Sequence, residues 1–94
     1  MNEFFEQLGR QWVDAAERRG AAIEPPSLES SVALELLELA RVAAHTRERR
    51  FAPLSCYLAG VAAERLRMKV PGADDSVIAS FIEEVRHVLE TDAG

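Results

Sequence analysis

Cysteine is nearly missing from this 94-residue chain: Cys56 stands alone, so no internal disulfide can staple the fold. Histidine is scarce as well, with two in all and no Cys/His cluster at zinc spacing, so a structural metal is not expected either. The core must hold by packing. Long apolar runs are lacking, since no stretch approaches the roughly 20 residues that a bilayer-spanning helix needs. The amino terminus, Met1-Asn2-Glu3-Phe4-Phe5-Glu6, has neither the basic start nor the apolar run of a signal peptide, which makes the cytoplasm the expected compartment. There is no glycine-rich loop for a phosphate and no nucleophile with a recognisably spaced base and orienting partner. An excess of positive charge is lacking too: the formal net charge of −5 has the wrong sign for a nucleic-acid binder.

What is present is ordinary globular material. Hydrophobic residues make up 48% and charged residues 29%, well away from the regime of disorder, and the length suits one domain with one core. A domain of this size buries a modest share of its surface, so self-association into a homodimer would be a natural supplement. Charge is unevenly placed. From Arg41 to Lys69 seven bases (Arg41, Arg47, Arg49, Arg50, Arg65, Arg67, Lys69) face only Glu48 and Glu64, giving a basic middle between acidic ends. Solvated helix faces that pair with one another are the simplest reading of that pattern.

Apolar periodicity predicts one all-α domain over 1–94, a compact four-helix bundle-like arrangement with helices near 3–19, 28–48, 53–69 and 75–91. The first carries Phe5, Leu8, Trp12, Ala15 and Ala16 at three- and four-residue steps and closes near Gly20; the paired prolines Pro25 and Pro26 then forbid continuation. The second is apolar almost all round except for Glu35, Glu38, Arg41, His45 and Glu48, which suggests a central helix enclosed by its neighbours. Pro53 is expected to open the third helix, with Leu54, Tyr57, Leu58, Val61, Ala62 and Leu66 on its inner side and Gly60 admitting a neighbouring backbone. The fourth, capped by Asp74, Asp75 or Ser76, presents Val77, Ile78, Phe81, Ile82, Val85, Val88 and Leu89. Spacing assigns Phe5, Trp12 and Tyr57 to the core.

The polar stripe of the second helix, continued into the following turn, is the most suggestive constellation. Arg41, His45, Arg49 and Arg50 surround a helix end beside the start of the next helix, where free N–H groups could hold a phosphate-bearing small molecule. The structural alternative is that Arg41 and His45 pair with Glu38 or complement the helix dipole with no ligand. Phe51 beside Arg50 could anchor a protein partner, or fold back across the turn as a hydrophobic staple. Candidate ligand- or partner-binding residues are thus Arg41, His45, Arg49, Arg50, Phe51 and Tyr57. No catalytic residue, metal ligand or cofactor is expected. Cys56 reads as a small hydrophobe, and His87 as surface.

The run Leu36-Leu37-Glu38-Leu39-Ala40-Arg41-Val42-Ala43-Ala44-His45, followed by Arg50-Phe51-Ala52-Pro53-Leu54-Ser55-Cys56-Tyr57-Leu58-Ala59-Gly60, resembles a small bacterial helical domain family of uncharacterised function. That family occurs alone or fused to molybdenum-cofactor guanylyltransferases, and Trp12 is similar to the tryptophan its members carry in their first helix. Two positions depart from the pattern: Thr46 stands where a glycine usually follows the histidine, and Phe51 where proline is common. The resemblance implies a non-catalytic accessory or protein-interaction domain linked to molybdenum-cofactor maturation or a molybdoenzyme. A small anion- or nucleotide-binding module at the basic turn is the alternative. The expected partner is another protein, with neither nucleic acid nor membrane involved.

Overall fold

The computed structural model describes residues 3–92 and builds them into four helices with no strand among them: α1 Glu3–Glu17, α2 Ser30–Thr46, α3 Phe51–Lys69 and α4 Asp75–Asp92. The all-helical class expected from periodicity is the class observed. No helix among these residues is long and apolar enough to cross a membrane. Backbone contacts divide the chain into two compact units, one running through Ser30 and the other from Ser31 onward.

In the first unit α1 ends at Glu17, and the chain turns through Gly20, whose φ of 83° only glycine adopts without strain. The Gly20 N–H donates to the Glu17 carbonyl and the Ala21 N–H to the Ala16 carbonyl, the paired bonds of a Schellman termination. The proline segment then runs back along the helix. Gly9 is buried, and a Cβ added there would stand 2.9 Å from the Pro26 carbonyl oxygen, so glycine is what admits the strap. A single strap is too narrow to cover a helix face: Trp12 remains 56% exposed and Phe5 37%. The expectation that both belong to the core is therefore corrected.

In the second unit the core is Leu39 of α2, Ala63 of α3, and Ile78 and Ile82 of α4, with Val32, Leu36, Ala59, Leu66 and Leu89 packed around it. Ion pairs at Glu35–Arg86 and Arg41–Glu90 align α2 and α4 in the same direction, with α3 running against both. α2 buries only Leu39, Val42 and Ala43 and leaves Leu34 and Leu37 exposed, so it is not enclosed all round as its composition suggests. Two neighbours cover about half of a helix's circumference; the rest stays open whatever residues it carries.

The turn between α2 and α3 falls two residues earlier than the expected helices 28–48 and 53–69 imply. α2 ends at Thr46, whose hydroxyl donates to the Val42 carbonyl at 2.7 Å. α3 then begins at Phe51, two residues before Pro53, which sits in the first helical turn where its missing N–H removes no helical bond. α4 opens on Asp74, whose carboxylate accepts from the Val77 N–H and the Ser76 hydroxyl at 3.0 and 2.8 Å. These bonds hold the Asp74 carboxyl below its ordinary range.

α3 differs most from the sequence reading. Its inward side carries the small residues Ala59 and Ala63, with Leu66, while Leu54, Tyr57 and Leu58 point away from the core and are exposed. Tyr57 is 73% exposed, which corrects its assignment to the core. Gly60 has open space where a Cβ would stand, so it admits no neighbouring backbone within the chain. Close approach is instead a property of Gly9.

Candidate functional site

The small inward side of α3 has a geometric consequence. Ala59, Ala62 and Ala63 let α3 and α4 approach closely, yet alanine side chains do not fill the space between the two helices. An open groove results, with a volume of about 300 Å³. Ser55, Leu58, Ala59 and Ala62 form its α3 wall, Phe81, Ile82, Val85 and Leu89 its α4 wall, and Leu39 of α2 lies at its base. Ser55 supplies the only polar side chain of the lining. Leu58 and Val85 of the lining are more than half exposed, as are Leu54 and Val88 one turn away on the same helices. Apart from the Ser55 hydroxyl the lining is hydrocarbon, and what such a surface can do is exclude water from an apolar surface laid against it.

The candidate residues named from the sequence fall elsewhere. Arg41 is held within the fold: its guanidinium meets Glu38 at 3.0 Å and Glu90 of α4 at 3.2 Å. The hydrogen bond and charge of Arg41 hold the Glu38 carboxyl below its ordinary value, and the same contacts keep Arg41 firmly protonated. The network continues through Arg86, only 11% exposed, which joins Glu35 at 3.2 Å and Glu90 at 3.3 Å. Burial works against the Arg86 charge, but these carboxylates more than offset it, and its pKa is raised. Glu35 and Arg41 of the α2 stripe thus tie α2 to α4, with Glu38 holding Arg41 in place.

His45, Arg49 and Arg50 are exposed at the turn, and Arg50 is paired with Glu48 at 2.9 Å. Phe51 is half-buried there. The start of α3 offers an anion little to bind. The N–H groups of Phe51 and Ala52 already donate to the carbonyls of Glu48 and Arg49, and Pro53 has none. The Cys56 thiol donates to the Leu36 carbonyl, with Sγ at 3.6 Å, and burial pushes its pKa up, the reverse of an activated nucleophile. Among the described residues no group of three or more His, Cys, Asp or Glu could hold a metal ion.

The groove itself escaped the sequence reading. Leu58, Phe81 and Val85 were legible as apolar faces of their helices, but periodicity reports which way a residue points and not whether a neighbour covers it. Alanine at 59, 62 and 63, opposite the bulky Phe81 and Ile82, was the available signal.

No curated protein and no solved structure matches the chain. One family does match, over residues 6–94, and the chain belongs to it: the family described as Domain of unknown function (DUF6457).

Proposed function

We propose that this chain is a non-catalytic helical accessory domain that works by docking protein against the α3/α4 groove. The observation that carries the reading is the groove, with exposed Leu58 and Val85 at its edges and an apolar floor, on two helices that also carry the exposed charges of Arg65, Lys69 and Glu84. Contiguous exposed apolar surface rimmed by polar groups marks an interaction site, because its burial releases ordered water at little polar cost. The resemblance of the Leu36–His45 and Arg50–Gly60 runs to modules fused to molybdenum-cofactor guanylyltransferases supports a place for this docking in molybdenum-cofactor maturation or beside a molybdoenzyme. The cytoplasm is the compartment the reading assumes.

The second reading, an anion or nucleotide site at Arg41, His45, Arg49 and Arg50, keeps the support of exposed basic side chains at the turn, but Arg41 is engaged by Glu38 and Glu90, and the N–H groups of Phe51 and Ala52 are already bonded. One experiment separates the two. Tagged protein, Leu58→Arg and Arg49→Glu/Arg50→Glu are each passed through native extract, and captured proteins are identified by mass spectrometry. A protein retained by the turn variant and lost by Leu58→Arg supports groove docking. Loss in the turn variant alone transfers the site to the basic turn, and capture unaffected by either change rejects the proposal.

A further inference from the structure

We infer that the occupant of the α3/α4 groove is the same face of a second copy, so that two copies pair α3 on α4 about a two-fold axis. This rests on the docking reading above and names its partner. Three observations on the second unit combine to carry it.

The first is shape. The α3/α4 face is a two-helix layer with exposed Leu54 and Leu58 on one helix and Val85 and Val88 on the other, separated by a shallow groove. Two such layers laid face to face give the cross-section of a four-helix bundle, each copy's lip residues entering the other's groove.

The second is direction. α3 and α4 are antiparallel, joined by the tight turn through Gly72, whose φ is 82°. Turning a second copy by a half-turn about an axis parallel to the helices sets its α4 over the first copy's α3, still antiparallel, and its α3 over the first copy's α4. The interface is isologous and closes at two copies.

The third is charge, and it selects a second copy over an unrelated apolar helix. α3 carries Arg65, Arg67 and Lys69 in its carboxy-terminal half against Glu64, and Arg49 and Arg50 precede its first turn. α4 is acidic from end to end, with Asp75, Glu83, Glu84, Glu90 and Asp92 against Arg86. In the half-turn arrangement the basic carboxy-terminal end of α3 faces the acidic amino-terminal half of the other copy's α4, and Arg49 lies at the end where the other copy's Asp92 stands. Arg65, Lys69, Glu84 and Asp92 make no ion pair among the described residues, so these charges are available for it. Stacking α3 antiparallel on α3 would instead oppose basic ends, and like charges across an interface are strongly disfavoured.

The test is sedimentation equilibrium on the full chain over a wide concentration range. It compares the unaltered protein, Leu58→Arg, Arg65→Glu, Glu84→Arg and an equimolar mixture of the last two, with circular dichroism to verify that each is folded. The unaltered chain is expected to form a reversible dimer. Leu58→Arg should raise its dissociation constant about tenfold or more, because it places a charge in the apolar centre. Arg65→Glu and Glu84→Arg should each weaken self-association, and their mixture should regain it, since only the mixed pair matches charge at both symmetric contacts. Should Leu58→Arg fail to fold, Leu58→Gln and Val85→Gln take its place. A chain monomeric throughout, a dimer indifferent to Leu58, or a mixture no tighter than its components overturns the inference. If the chain is monomeric but Leu58→Arg still abolishes capture of an extract protein, docking stands and only the second copy is removed. Indifference to Leu58 in both assays removes both.

Discussion

α4 meets α2 on one flank and α3 on the other, and the two contacts are made by opposite means. Towards α2 they are directional: Arg86 grips Glu35, and Glu90 receives both Arg86 and Arg41, each at 3.2 to 3.3 Å. Towards α3 they are small and apolar, with alanine opposite Phe81 and Ile82 and a groove left open above. Ion pairs at two levels fix the register of two helices because displacement along the axis breaks them together. Alanine contacts bring backbones close but impose no depth, so that flank can accept further apolar surface. One side of α4 is closed by paired charges and the other is left open.

Both flanks share Ile78, 1% exposed, and its truncation should show the largest effect. Ile78→Ala is expected to cost about 3 kcal/mol, measured by urea unfolding, because it removes core contacts and leaves a cavity.

Next in size is Arg86→Ala, which strands the Glu35 carboxylate, only 17% exposed, without its partner. A fall of several degrees in Tm is expected. The double change Arg86→Leu/Glu35→Leu should recover much of the loss, and failure to recover would mean that geometry rather than charge is what the pair supplies.

Acid should act more gently and on the α2 side first. Glu38 and Asp74 have folded pKa values below their ordinary 4.5 and 3.8, so each contributes stability at neutral pH that is lost as pH falls through the depressed folded value. Tm should therefore hold through weakly acidic pH and decline below about 4.5. Asp74→Asn, which keeps the cap but not the charge, should flatten part of that decline without changing neutral Tm by more than a degree or two.

The smallest effect belongs to the open flank. Leu58 is 68% exposed, so Leu58→Ala should alter the stability of the dilute chain by no more than about 0.5 kcal/mol. A much larger loss, seen only at high concentration, would show that the groove is already filled there and would sharpen the contrast between the flanks.

The same contrast marks what could be read from residues alone. The apolar steps of α4, the stop at Gly20, the break around Pro53 and the cap before α4 are local, and local chemistry decides them. The helix class followed. Glu38 and Arg41 were legible as a pair because they lie one turn apart on one helix. Their partner Glu90 was not, since it comes from 49 residues away along the chain. Leu54, Tyr57 and Leu58 share a face with Val61, and nothing local distinguishes an apolar face that will be covered from one that will not. Gly60 was expected to admit a backbone, but Gly9 does so, because only the course of the proline strap determines which glycine meets a carbonyl.

The sequence by itself determined that this protein is built from four helices, where each begins and ends to within a few residues, and that positive charge is concentrated in its middle. Those properties depend on backbone propensity, capping and composition, all of which act over a single turn of helix. The tertiary structure decided which apolar residues became core and which became surface, that Glu35 and Arg41 of α2 were spent on α4, and that a groove opened between α3 and α4. Burial depends on which neighbour stands opposite and how large its side chains are, and that is settled only when separate helices meet.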